Sequence, residues 1–219
     1  MSVTFVQNHS TSSTKTWWLC GWMMLWIFVS VKAQPPKPYW IVRAGYLRSN
    51  VSLKREPLQA PVYLGGLRPL NSYYLGTAYC RPLSGAFALR LEVNYQRKGI
   101  VTTGPNGQVT SVNVYSYLGL APTLGVWLTN RIGIFAGPEL NSLIYKQAAW
   151  SSAAPFEWCL LGRIHYRINR FELGVSTVSA LTAYDETGSL PLTGTRFKFI
   201  NHNWQAGLSY HLTKSHIDK

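Results

Sequence analysis

Carboxylate, guanidinium and imidazole side chains recur at alternate positions in several segments of this chain. In the segment Phe87–Gln96, for example, Arg90 and Glu92 stand between apolar residues. The set comprises Arg43, Arg90, Glu92, Glu139, Glu157, Arg163, His165, Arg167 and Glu172. Buried charges persist mainly when they are paired. We therefore expect a packed network of ion pairs, with a narrow polar pathway or a ligand site as the alternative.

A histidine that acts with a serine is the one candidate for nucleophilic catalysis. His165 with Ser176 or Ser209 and a glutamate would supply the residue types of a hydrolase. Neither serine lies in a G-x-S-x-G motif, in which a sharp turn exposes the nucleophile. We therefore predict a structural histidine, no catalytic residues, no metal site and no cofactor. An enzyme that modifies membrane lipids is the alternative.

Period-two alternation of apolar and polar residues is the main structural signal, and it is typical of strands with two unlike faces. It places strands at 38–48, 72–80, 85–97, 112–128, 131–145, 155–168, 170–183 and 201–212. Several of these segments reach the ~9 to 11 residues that a tilted transmembrane strand needs. Pro122 and Pro138 cannot donate to a strand ladder, so we expect bulges or strand ends there.

The predicted connections alternate in length. They are long after the first, third, fifth and seventh strands and short between the others, as in transmembrane barrels with short periplasmic turns and long extracellular loops. Unpaired strand edges are costly in hydrocarbon, so the sheet must close. The predicted fold is all-β, an eight-stranded antiparallel up-and-down transmembrane β-barrel.

The N-terminal segment has the features of a cleavable signal peptide. Lys15 precedes an apolar run from Trp17 to Val31, and Val31-Lys32-Ala33 is a small-residue cleavage pattern. We predict a signal peptide at 1–33 and an outer-membrane barrel domain at 34–219. The expected location is the bacterial outer membrane.

The amino-acid composition is typical of a protein whose outer surface contacts lipid. Charged residues make up only 13% of the chain, against the ~25% of soluble globular proteins, and aromatic residues reach 14%. Aromatic rings favour the headgroup zone, so those near strand ends are expected in two girdles. They are Tyr39, Trp40, Tyr73, Tyr74, Trp127, Tyr145, Trp158, Tyr184 and Trp204.

The net charge of +13 would suit a nucleic-acid partner, but export argues against one. Basic residues assigned to the long loops are candidates for contact with the phosphates of lipopolysaccharide. They are Lys54, Arg55, Arg68, Lys98, Lys146, Arg196 and Lys198. A solvated, charged loop surface is the alternative.

Cys80 and Cys159 lie in the predicted mature chain and could form a disulfide in an exported protein. The predicted strands place them near opposite ends of a barrel ~25 Å tall, beyond the ~7 Å Cα limit of a disulfide. We predict two free thiols.

The segment Leu91–Gly99 resembles the E-L-x-Y-x-x-K-G strand end of the PorT-like family of outer-membrane β-barrels. Matches elsewhere are Ala44-Gly45, Tyr117-Leu118 through Pro122, Phe135-Ala136-Gly137-Pro138 and the Ala33-Gln34 junction. The resemblance implies an eight-stranded barrel of the OmpX or OmpA type, a group usually without an assigned activity.

Taken together, these features predict a non-enzymatic barrel with a lumen filled by side chains and a structural or surface-interaction role through four extracellular loops. The expected partners are outer-membrane lipid, including lipopolysaccharide, the barrel-assembly machinery and an unidentified surface or envelope protein. A small-solute channel is an alternative, although water-filled porins need ~16 to 18 strands. A soluble lipocalin-like barrel is a further alternative, but it would need an apolar lumen and a polar exterior.

Overall fold

The computed structural model describes residues 37–55, 66–83, 85–104, 106–147, 153–183, 185–187 and 197–212. The strands are β1 (Tyr39–Arg55), β2 (Gly66–Pro82), β3 (Phe87–Thr103), β4 (Val109–Trp127), β5 (Ile132–Gln147), β6 (Phe156–Ile168), β7 (Phe171–Ala180), β8 (Asp185–Thr187) and β9 (Phe197–His211). Within these ranges there is no helix long and apolar enough to cross a membrane. The predicted signal peptide lies outside the described residues.

The strands form one closed antiparallel sheet. Each of β1 to β7 pairs with its neighbour in sequence, β7 pairs with β9, and β9 pairs with β1. The short β8 pairs with β9 beyond the end of β7, opposite Phe197–Phe199. The prediction of an eight-stranded antiparallel β-barrel is therefore confirmed.

The barrel is apolar outside and polar inside. On β3, Phe87, Leu89, Leu91 and Val93 are exposed. The residues between them are buried, because successive side chains of a strand point to opposite faces. An exposed belt of large apolar residues is unfavourable in water, whereas it matches the hydrocarbon of a bilayer.

The two ends of the barrel differ. We call the end formed by the turns at 82–87, 127–132 and 168–171 the turn end, and the opposite end the loop end. Towards the loop end β1 to β5 and β9 run further than predicted, whereas β6 and β7 do not, and β3 has 17 residues. At ~3.3 Å per residue and a tilt of ~40°, such a strand rises ~40 Å and projects beyond an apolar band ~25 Å tall.

This extension corrects one predicted loop. The connection after β3 was expected to be long, but it is the short segment 104–108 between the two strands. Gly107 has a φ of 76° there, a conformation that glycine adopts without steric cost. The sequence pattern fails because three consecutive residues of β3, Lys98, Gly99 and Ile100, are buried, which breaks the alternation.

The prediction of bulges or strand ends at the prolines is wrong, because β4 and β5 continue through Pro122 and Pro138. Pro122 pairs with Leu91 of β3, and Pro138 pairs with Leu160 of β6. The β4–β5 pairing keeps one register from Leu120↔Leu140 to Leu124↔Ala136. Pro122 and Pro138 lie opposite each other between those pairs. The pairing of β4 with β3 and of β5 with β6 continues past the prolines and keeps both strands regular.

The aromatic prediction is partly wrong. Trp40, Tyr73, Tyr145, Trp158 and Trp204 are exposed on the outer surface. By contrast, the side chains of Tyr39, Tyr74 and Trp127 are buried inside the barrel. Position near a strand end does not decide which face an aromatic ring occupies. Tyr184 lies outside the described residues.

Candidate functional site

Among the described residues, the lumen contains three clusters of interacting charged groups. The first is the Glu92 cluster, which consists of Glu92, Arg43, Arg90 and Arg163 and lies midway along the barrel. Arg43 Nη1 lies 2.5 Å from Glu92 Oε2, and Arg90 Nε lies 3.0 Å from Oε1. Arg163 Nη1 contacts both carboxylate oxygens. Three guanidinium groups from three strands thus converge on one buried carboxylate.

The second is the Glu172 cluster, which lies nearer the turn end. Glu172 Oε2 accepts from Arg90 Nη1 at 3.1 Å, and Oε1 lies 3.2 Å from Arg167 Nη2. The carboxylate also lies 2.8 Å from His211 Nε2 and 3.5 Å from His165 Nδ1. Arg90 contacts both glutamates, so it joins this cluster to the Glu92 cluster.

Aromatic rings pack below the Glu172 cluster, towards the turn end. Tyr39 stacks on His211 with ring centroids 4.6 Å apart, and its hydroxyl accepts from Arg167 Nη2 at 2.5 Å. The Arg167 guanidinium lies 4.0 Å from the centroid of a Trp127 ring, within the range of a cation–π contact. Trp127 packs edge-on against Phe135. The first and last strands therefore share one packed layer at the turn end.

The third is the Glu157 cluster, which lies nearer the loop end. Lys98 Nζ lies 2.8 Å from Glu157 Oε2, and Asn201 donates to Oε1 at 2.5 Å. In the amide orientation that satisfies both neighbours, Asn141 donates to Glu139 Oε1 at 3.2 Å and accepts from Lys98 Nζ at 3.1 Å. Glu139 also accepts from the amide of Gln96.

All nine residues of the predicted polar network have buried side chains in the lumen. Seven of them join the three clusters as charged partners, and the imidazole of His165 lies 3.5 Å from Glu172. Glu139 contacts amides instead. The pattern did not single out the polar partners Gln96, Asn141 and Asn201. The same alternation that marked Arg90 and Glu92 also marks Gln96, so this residue could have been found.

Lys98 corrects the prediction of loop lysines. It was expected in an extracellular loop in contact with lipid phosphate, but its side chain is fully buried and paired with Glu157. The reason is the length of β3, which continues past this residue to Thr103. Extending the alternation of Arg90 and Glu92 by six residues would have placed Lys98 inside.

The other predicted lipid-contact residues lie at the loop end or outside the described residues. Arg68 and Lys146 are exposed on β2 and β5, and Lys198 is half-buried on β9. Lys54 lies directly opposite Lys198 in the pairing of β1 with β9, and Arg55 follows it at the end of β1. Arg196 lies outside the described residues.

The geometry does not place His165 beside the predicted serines. Its ring lies between Arg90 and Glu172, while Ser176 donates to Gln205 at 3.1 Å. A different histidine, His202, has Nε2 3.1 Å from Ser52 Oγ and Nδ1 3.4 Å from Ser179 Oγ. Sequence alternation alone did not mark this trio. We assign it no catalysis, because the described contacts of His202 include no carboxylate to orient the ring.

Cys80 and Cys159 are free thiols, and both are buried. Cys80 belongs to the apolar layer around Tyr39 and Trp127 at the turn end, whereas Cys159 packs with Leu161 and Val178. In the described part of the chain, no group of three or more His, Cys, Asp and Glu residues is arranged to hold a metal ion.

Comparison with known proteins supports the architecture. No family model matches the sequence, and no curated protein matches it significantly. Among solved structures, the outer membrane protein OprG of Pseudomonas aeruginosa aligns with a TM-score of 0.55 at 12% identity, over 84% of this chain and 99% of OprG.

Two further structures align with lower scores. Ail, the attachment invasion locus protein of Yersinia pestis, aligns at 0.40 and 9% identity over 80% of this chain and 99% of Ail. The outer membrane protein AlkL aligns at 0.42 and 14% identity over 98% of this chain and 100% of AlkL. At this identity the likeness to OprG shows the fold alone, and that fold is the eight-stranded barrel of outer-membrane proteins.

Proposed function

We propose that this protein is a non-enzymatic barrel of the bacterial outer membrane, and that a signal peptide directs its export to that membrane. Its lumen is closed by side chains, and its role is structural or one of surface interaction through the loop end. The exposed apolar belt supports membrane insertion. The resemblance to PorT-like barrels is compatible with this role and adds no activity to it.

The observation that carries the proposal is the interlocked network in the lumen. The Glu92 and Glu172 clusters share Arg90, and an aromatic layer lies below them at the turn end. An eight-stranded interior is just wide enough to be filled by side chains. The polar interior is therefore occupied by packed ion pairs, and it differs from both an open pore and an apolar ligand cavity.

The loop end is the proposed interaction surface. Arg68 and Lys146 are exposed there, and Lys54 and Arg55 are the last two residues of β1 at the same end of the barrel. Basic groups near a membrane surface favour anionic headgroups by ~1 kcal/mol each. We propose contact with the phosphates of lipopolysaccharide. The barrel-assembly machinery and an envelope protein remain proposed partners.

The proposal is tested by membrane fractionation followed by gel electrophoresis with and without heating, and by conductance measurements in planar bilayers. We expect an outer-membrane species that migrates differently before and after heating, as a folded barrel does. We also expect conductance far below that of a general porin. A chain found only in soluble fractions would rule out the membrane barrel, and porin-level conductance would rule out the closed lumen.

A further inference from the structure

The charges in the turn half of the lumen do not balance. Four buried arginines, Arg43, Arg90, Arg163 and Arg167, share two carboxylates, Glu92 and Glu172. A guanidinium group stays charged in proteins, so it cannot remove the imbalance by losing a proton. Among the described arginines and glutamates of this half, four positive and two negative charges leave two positive charges in excess.

The remaining glutamates do not offset that excess directly. Glu157 is paired with Lys98, and Glu139 accepts hydrogen bonds from the amides of Gln96 and Asn141. Within the described residues, neither of them forms an ion pair with an arginine. Uncompensated charge in a closed interior is costly, so a negative group is expected to enter.

Donor atoms around the Glu92 cluster also lack acceptors. Among the described residues, Arg90 Nη2, Arg43 Nε and Arg163 Nε have no hydrogen-bond partner. Each belongs to a side chain that is at least nine-tenths buried. Acceptor atoms without partners also occur. One is on Asn94, whose amide donates to Glu92 at 3.3 Å, and others are on Gln96, Glu139, Asn201 and Asn203, towards the loop end of the same lumen. Unused donors and excess positive charge therefore occur together beside Glu92.

We propose that the Glu92 cluster binds a small monovalent inorganic anion of chloride size. The anion accepts hydrogen bonds from the guanidinium groups of Arg43, Arg90 and Arg163 and neutralises one of the two excess charges. Its size is limited because side chains fill the interior of an eight-stranded barrel. Charge-assisted hydrogen bonds of this kind are the strong ones in proteins.

The test uses the full barrel purified from membranes in detergent. Its thermal unfolding is followed while sodium chloride replaces sodium gluconate at constant ionic strength, so that general screening stays fixed. A bound anion stabilises the folded state in a saturable way. We therefore expect the unfolding temperature to rise with chloride and then level off. Crystals grown in bromide should show an anomalous scattering peak beside Glu92.

The variants Arg43→Gln and Arg48→Gln form a matched pair on β1. Arg43 points into the lumen, whereas Arg48 is exposed on the outer face. We expect Arg43→Gln to raise the chloride concentration that gives half of the stabilising effect by about tenfold, because one charge-assisted hydrogen bond to the anion is lost. Arg48→Gln should leave it unchanged. Arg163→Gln is the second lumen variant, should Arg43→Gln fail to fold.

Two results would overturn the proposal. One is an unfolding temperature that is the same in chloride and gluconate, together with no bromide peak in the lumen. The other is an equal change of the chloride dependence in Arg43→Gln and Arg48→Gln, which would indicate an effect of surface charge. The location and the closed lumen of the barrel are tested separately by fractionation and conductance, so they can stand if the anion site fails.

Discussion

Basic side chains on neighbouring strands have opposite surroundings in this barrel. Lys98 is buried against Glu157, whereas Arg68, on the neighbouring strand β2, is exposed near the loop end. Register decides between them, because successive residues of a strand face opposite sides of the sheet. Only the outward group is available to a lipid headgroup. Contact with lipopolysaccharide should therefore depend on Arg68 and not on Lys98.

Charge reversal at Arg68 tests the proposed lipid contact. We expect Arg68→Glu to weaken binding of lipopolysaccharide to the purified barrel by about tenfold, since one attraction of ~1 kcal/mol is replaced by a repulsion. Binding would be measured by titration of the folded barrel in detergent. The effect should shrink at high salt, which screens exposed charges.

Arg81→Glu is the matched control, because Arg81 is also exposed on β2 but lies at the turn end. It should leave lipopolysaccharide binding unchanged, since the two ends of the barrel face opposite sides of the membrane. Equal losses in both variants would point to a general effect of net charge and would remove the proposed contact.

At the scale of the strands, the β4–β5 pair depends on close backbone approach at its opposed prolines. A Cβ added at Gly137 would lie 2.9 Å from Thr123 Cα and closer still to the carbonyl oxygen of Pro122. Both are backbone atoms, so the strands would have to separate. Because Gly137 has no side chain, β4 and β5 can stay close together at Pro122 and Pro138, which lack backbone N–H donors.

Gly137→Ala should therefore destabilise the barrel by about 1 to 3 kcal/mol, the usual cost of overpacking. Unfolding by urea in lipid vesicles would measure the change. Gly162→Ala is the control, because its Cβ would meet only Thr177 Cγ2, at 3.8 Å. Similar stability in the two variants would show that the approach at Gly137 is not restrictive.

Sequence alternation predicted strands well where the membrane imposes a contrast between faces. On β3 the run from Phe87 to Val93 is apolar outside, and Arg90 and Glu92 are inside, as expected. Past Arg97 the consecutive residues Lys98, Gly99 and Ile100 are all buried, so alternation no longer marks the two faces and the strand end was missed. Lys98 was misplaced for this reason.

The lumen contacts were less predictable than the lumen residues. Alternation could place Arg43, Arg90 and Arg163 inside, but only the register around the barrel brings all three to Glu92. The inward aromatic rings were missed for a related reason. At the turn end the lumen is itself apolar, so Tyr39 and Trp127 are not distinguished from outward aromatics by their hydropathy.

At the scale of the molecule, the position of the membrane can be tested on two valines of similar exposure. Val93 is 40% exposed on β3, within the apolar belt, and Val112 is 46% exposed on β4, towards the loop end. Arg97 lies on the outer face between the belt and Val101, the partner of Val112 in the β3–β4 register. The membrane boundary should therefore pass between the two valines.

Substituting arginine at each of the two valines distinguishes a site inside the bilayer from a site near its surface. Near the middle of a bilayer an outward arginine costs a barrel ~2 to 4 kcal/mol, but only ~0 to 1 kcal/mol near the interface. We expect Val93→Arg to show the larger loss and Val112→Arg the smaller when both are unfolded by urea from lipid vesicles. In a soluble barrel both exposed sites would accept arginine at little cost, so nearly equal stabilities would refute the proposed bilayer position.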